Sequence, residues 1–317
     1  MGGVTVSEVL PEVLLARHGD PARLASLHAR GQVERVRWGA YAPTAPSQGP
    51  ARDLRRRVIA RTLAVHAQLQ VPHWFSHETA AVLWGCATYR LADAVHLVQE
   101  TRPSRRGRDP VVRHHGEVAP LERAWQHEVP VTSLERTVAD CAAALTRDRA
   151  LVIADSALRR GADGDAITAL IASRAGRRGS ARARSVLALA DARADSPGET
   201  LVRLALHEHG LPSPEPQVEV ATRRGRFRVD LGWRDARVAV EFDGFVKYSG
   251  ELGSTAAEAV FAEKQRQDAL EEAGWRILRT TWDDLRSPVT LATRAAAALR
   301  RTSEVEGLPR VRGVQAA

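Results

Sequence analysis

The stretch Arg226–Phe245, RFRVDLGWRDARVAVEFDGF, carries the acids best placed to do chemistry. Two runs of alternating apolar and polar residues flank a polar turn at 234–236, which is the pattern of a β-hairpin. A turn centred between Asp235 and Ala236 pairs Asp230 with Glu241, Arg228 with Asp243 and Gly232 with Ala239 on one face. The other face, Val229 with Phe242, Leu231 with Val240 and Trp233 with Val238, is wholly apolar. Directly paired Cβ atoms stand roughly 5 Å apart, and carboxylates that close repel unless a cation joins them. All-oxygen ligation suits a hard divalent ion, so Mg²⁺ or Mn²⁺ is the expected cofactor. Other chemistries find little support. His114 and His115 are adjacent and His207 and His209 are two apart, so neither pair converges on a strand or helix. Glu78 beside His77 lacks the remaining motif of a zinc deaminase, and there is no Walker loop, nucleophile elbow or dinucleotide fingerprint, so no small-molecule cofactor is expected.

The hairpin must be held by a larger framework. The chain has 317 residues, 46 Lys+Arg against 38 Asp+Glu, and a formal net charge of +8, which is too long for one ordinary domain. A Pro/Ser/Gly cluster at Pro43–Pro50 and a break at Ala194–Gly198 suggest three blocks, 1–48, 49–195 and 196–317. Residues 1–195 carry the whole excess of +8 and residues 196–317 sum to zero, so an electrostatic footprint for nucleic acid belongs to the first part. No apolar run approaches the roughly 18 residues of a membrane span. Glu8 and Glu12 in the first apolar stretch argue against a signal peptide, so a cytoplasmic protein is expected, with no membrane partner. Cys86 and Cys141 stand alone among apolar residues and read as buried small hydrophobes.

Within the first block, Val6–Ala16 reads as an apolar helix, and Asp20-Pro21 as the N-cap and first residue of a second helix ending at Gly31. Val33–Tyr41 alternates like a short strand pair turning near Gly39. Helix, helix, β-wing is the order of a winged helix-turn-helix. The middle block reads as mixed α/β, with helices around 53–70, after Ser76 and after Ser133, and strands near 94–99 and 111–115. The fold class is therefore α/β (α+β).

The segment ARLASLHARGQVERVRWGAYAP resembles the N-terminal winged-helix domain of AbiEi-type antitoxins. That resemblance implies DNA contact through Arg23, His28 and Arg30 on the helix and Arg35 and Arg37 at the wing, and a protein partner of toxin–antitoxin type. From about Ser196 to Leu285 the blocks SPGET, GLPSPEPQVEV, VDLGW, VAVEFDG and EKQRQDALEEAGWRILRTTWDDL resemble, in order, the very-short-patch-repair-endonuclease-like branch of the PD-(D/E)XK nuclease superfamily, in an actinobacterial arrangement. The resemblance implies a mixed sheet flanked by helices and a metal site of Glu199, Asp230 and Glu241. Asp243 stands where the motif's lysine belongs, which leaves the general base open. The only lysines, Lys247 and Lys264, both follow Glu241, against 44 arginines. Lysine can shed its proton on burial and arginine cannot, so Lys264, on a predicted helix 255–273, is the first candidate base and Lys247 the second. Arg266 and Gln217 are further candidates for phosphate contact. The expected function is metal-dependent hydrolysis of DNA phosphodiesters, targeted by the N-terminal domain. The alternative is an antitoxin-like DNA-binding transcriptional regulator whose nuclease fold is inactive; a protein-partner scaffold on the Ala-rich helices 151–160 and 181–191 is a third reading.

Overall fold

A computed structural model of the chain describes residues 10–102, 110–244 and 254–306; Lys247 lies outside them. Asp20 starts helix α1 (Pro21–Ala29) by accepting a 2.9 Å hydrogen bond from the Ala22 amide, with Pro21 supplying a preset φ at the first turn. The helix ends as expected, with Gly31 at φ +70°. Strands β2 (Val33–Arg37) and β3 (Ala40–Pro43) follow as an antiparallel pair, turning at Gly39, whose φ of +68° a side chain would resist. The expected helix at 6–16 is corrected over its described end. Leu14–Leu15 is instead strand β1, pairing antiparallel with β3, and Ala16–His18 is a single 3₁₀ turn. Edge pairing to β3 satisfies the backbone of this apolar stretch as a helix would have done.

Residues 1–188 cluster as one unit and 189–317 as another. The cut suggested at about 48 therefore falls inside the first unit. The reason is helix α2 (Pro50–Gln68), which buries Ala60 and Ala64 against Val36, Ala40 and Ala42 of the β1–β3–β2 sheet while its Val65 enters the next core. That core underlies a mixed five-stranded sheet of order β6-β5-β4-β8-β7. Its strands are β4 (Trp74–Phe75), β5 (Val95–Gln99), β6 (Val111–His115), β7 (Arg123–Gln126) and β8 (Val129–Thr132). Helix α3 (His77–Leu83) follows β4, and α4 (Leu134–Ala144), α5 (Arg147–Arg159), α6 (Gly164–Ser173) and α7 (Ser180–Leu187) pack after β8.

The second unit runs α8 (Pro197–Glu208), β9 (Glu215–Thr222), β10 (Gly225–Trp233), β11 (Val238–Phe242), α9 (Ser254–Glu272), β12 (Arg276–Thr280) and α10 (Pro288–Glu306). The sheet order is β12-β11-β10-β9, with β9, β10 and β11 antiparallel and β12 parallel to β11. The β10–β11 register is the one read from the sequence: Leu231↔Val240, Gly232↔Ala239, Trp233↔Val238. Both faces of this sheet are covered. Leu231, Val238 and Val240 pack on α8 and α10 through Val202, Leu206 and Leu291; Ala239 and Val218 pack on Leu270 of α9 and Trp275.

One pairing expectation is corrected. Val229 does not share the face of Leu231; it joins Val218, Val220 and Leu270 on the α9 side. The strict alternation breaks at Asp230. Opposite it, between the paired couples Val229↔Val218 and Leu231↔Pro216, Gln217 of β9 takes a φ of +55°.

Candidate functional site

The acids meet where α8 starts and β11 ends. Ser196 caps α8 by accepting from the Glu199 amide at 3.2 Å. At Gly198 an added methyl would overlap the ring of Phe242, so glycine lets the helix start sit directly on the end of β11. Glu199 is thereby buried, and its Oε2 accepts from the Asp195 amide at 3.0 Å and from Nε2 of Gln217 at 2.7 Å. The unusual backbone of Gln217 thus coincides with a side chain that bonds a buried carboxylate.

Asp230 occupies the kink in β10, and its Oδ2 accepts from the Phe242 amide at 2.8 Å. Burial pushes its carboxyl up to about 6; the charges of Glu199 and Glu241 add to the rise, and the Phe242 amide and Arg266 oppose it. Glu241, one position from Phe242 on β11, faces α9. Both its oxygens bond the Arg266 guanidinium, one of them at 3.2 Å, and Arg266 also donates to the Arg228 carbonyl at 3.0 Å. That ion pair holds the arginine above its usual range, chiefly through its hydrogen bond to Glu241. Glu263 joins both Arg266, at 3.3 Å, and Arg279.

Glu199, Asp230 and Glu241 come from three elements, and the charges of Glu199 and Glu241 both act on Asp230. Asp243 does not join them. Its side chain is exposed at the end of β11, and Arg228, expected to pair with it, instead meets Asp195 at 3.2 Å. Lys264 is also corrected. It is exposed, two residues and so about 200° around α9 from Arg266, while Ala269 and Leu270 fix the buried side of that helix. Among the described residues, the cation bonded to these acids is Arg266.

In the first unit Arg23, Arg30 and Arg35 are exposed, with Arg30 bonded to the Ser26 hydroxyl at 3.0 Å. His28 and Arg37 have structural partners: the Val33 carbonyl at 3.0 Å and the Gln68 side chain at 2.9 Å. The turn also presents Trp38, 87% exposed, which charge-based reading passes over.

A second cluster escaped the sequence entirely. His96 on β5 and His114 on β6 project from the same face of a parallel strand pair, in which Val98 stands opposite His114. His77 begins α3 directly after Ser76, whose amide donates to the His96 carbonyl at 3.0 Å. His96 Nδ1 lies 3.1 Å from His114 Nε2, and the rings of His77 and His114 stack with centroids 4.0 Å apart. Among the described residues only these three have ligand atoms all within 4.8 Å of one another; the three carboxylates do not close to that degree. Desolvation lowers the pKa of each imidazole, taking His96 to about 4. No helix of the described residues is long and apolar enough to cross a membrane.

The site thus defines a two-unit α/β protein with one buried acid cluster and one imidazole cluster. The chain is 34% identical over 279 residues to the uncharacterized proteins Rv2248 and MT2308 of two Mycobacterium tuberculosis strains, an alignment covering 86% of this chain and 94% of each relative. It belongs to their family. No family model matches the chain.

Proposed function

We propose that residues 189–317 hydrolyse phosphodiester bonds of DNA with the help of a divalent metal ion, and that the exposed arginines of residues 20–37 contact the DNA backbone. One observation carries the reading. Asp230 feels the charges of Glu199 and Glu241 at the junction of a helix and two adjacent strands, its carboxyl pushed up to about 6 by burial and by those two neighbours. Such a group is short of positive charge. The α-β-β-β-α-β order around it, with three antiparallel strands and a fourth parallel to the third, supports the same reading.

The donor set fits Mg²⁺ or Mn²⁺. It is all oxygen, and Mg²⁺ keeps several waters, so Asp230 and Glu241 suffice as protein ligands without full closure of the third acid. Such an ion, when bound, would offset the charge developing on the scissile phosphate and acidify a water. The protein's own residues do the rest. Glu199, fixed through Oε2 by the Asp195 amide and Gln217, orients water with its other oxygen. Arg266, permanently protonated, is placed to exchange part of its Glu241 contact for a phosphate oxygen.

The test is cleavage of supercoiled plasmid by the full chain with Mg²⁺ or Mn²⁺. Asp230→Asn and Glu241→Gln are each expected to lower the rate by about 100-fold or more, the scale on which removing one transition-state-stabilising group acts. Unchanged rates in both would sink the proposal. A second reading, a DNA-binding regulator with a toxin-type protein partner and no catalysis, is favoured by one observation: Arg266 already neutralises Glu241, and Lys264 faces away. It predicts sequence-specific DNA binding with no metal-dependent cleavage by the wild-type chain.

A further inference from the structure

We propose that His77, His96 and His114 form a second metal site, separate from the acids, that takes a zinc-class divalent ion through three imidazole nitrogens and leaves one coordination position open. The inference is independent of the nuclease reading, because it uses other residues, in the other unit, and a different class of ion.

The geometry argues for it in three ways. Zinc–nitrogen bonds of about 2.0–2.1 Å at tetrahedral angles set ligand nitrogens about 3.3 Å apart, and His96 Nδ1 and His114 Nε2 already stand at 3.1 Å. The third nitrogen lies within 4.8 Å of both, and because the His77 ring stacks on His114 at 15°, closing the set requires those rings to tilt until their lone pairs converge on one ion. Second, the ring of His77 is oriented from outside the cluster: its Nδ1 is 2.9 Å from the Ser76 hydroxyl, leaving Nε2 for the ion. A partner on the far nitrogen is the usual support of a metal-bound histidine. His77 also holds a left-handed backbone, φ +53°, where a non-glycine residue is strained, at the very position that delivers its ring. Third, the surrounding charge is already balanced. Arg149 pairs with Glu78 at 2.6 Å, and Arg136 pairs with Asp140 at 2.8 Å and with Glu122, so neither arginine is left as a bare cation against the ion.

Nitrogen ligands select Zn²⁺, Co²⁺ or Ni²⁺ over Mg²⁺. Among the described residues the group offers three side chains, and His96 and His114 are only half-buried, so water or a small anion has access to the fourth position. Three histidines with an open position are the donor set of a zinc ion that binds an exchangeable ligand rather than of a closed structural site.

The test uses the full chain, stripped with chelator and titrated with Zn²⁺ and with Co²⁺ in excess Mg²⁺. The expected result is one equivalent bound per chain and a Co²⁺ visible spectrum of a low-coordinate nitrogen and oxygen site that shifts on adding azide. His96→Asn and His114→Asn are expected to weaken Zn²⁺ at least about 100-fold, Ser76→Ala about tenfold, and His115→Ala, exposed on the other strand face, not at all. Failure of the wild-type chain to bind stoichiometrically overturns the proposal, whatever the variants do. So does a thiolate charge-transfer band, which would move the ion to a cysteine, or retention of full affinity by both asparagine variants. Binding unchanged in Asp230→Asn separates this site from the acids.

Discussion

The acid cluster and the imidazole cluster are both groups of three titratable side chains, one buried and two half-buried in each, but their charge is met in opposite ways. Around Asp230 the burial of anions is offset by one arginine, two backbone amides and one glutamine, and the deficit shows as a carboxyl raised to about 6. Around His96 burial removes the charge altogether, since an imidazole can be neutral at neutral pH and a lone carboxylate resists it. The acids therefore call for a cation in order to be stable together, whereas the histidines are stable without one and merely ready to bind it. Metal removal is expected to matter more to the second unit than to the first.

The largest expected effect tests that asymmetry. Arg266→Ala leaves Glu241 beside Asp230 without its cation and is expected to cost about 2 kcal/mol or more in urea unfolding. Saturating Mg²⁺ should restore much of this loss; no rescue would mean that the acids do not share a cation site. Next is Gly198→Ala, whose methyl meets the Phe242 ring, with an expected cost of about 1–3 kcal/mol. The smallest effects are in the pH dependence, where the two clusters have opposite signs. The Asp230 carboxyl is raised from an ordinary value of 3.8, so its contribution to stability is full below that pH and is lost as pH rises through about 6. The His96 imidazole is lowered from 6.5, so its contribution is full above 6.5 and is lost as pH falls toward 4. In metal-free protein, Asp230→Asn should thus gain on wild type as pH rises from 3.8 to about 6, and His96→Gln should gain as pH falls from 6.5 to about 4. Identical pH profiles would show that the two clusters are not electrostatically distinct.

Much of the acid site was legible because its information is local. A turn at 234–236 and period-two alternation fixed the β10–β11 register, whereas Glu199 entered only through the resemblance of SPGET, on the helix that Ser196 caps. The errors arose where helical phase or a backbone irregularity intervened. Residue type favoured Lys264, but the burial of Ala269 and Leu270 turns Arg266 to the acids. Regular alternation put Val229 beside Leu231, but Gln217 at φ +55° and Asp230 break the ladder between them.

The sequence by itself determined the caps, the hairpins, the α/β class and the register of β10 against β11 over Leu231–Trp233, since each depends on residues a few positions apart and on the fixed periods of strand and helix. Only the tertiary structure decided which cation meets the acids, and that His77, His96 and His114 meet at all. These three lie on a helix and two strands about twenty residues apart, and no spacing rule links such positions; the parallel pairing of β5 with β6 and the seating of α3 over them bring the rings together.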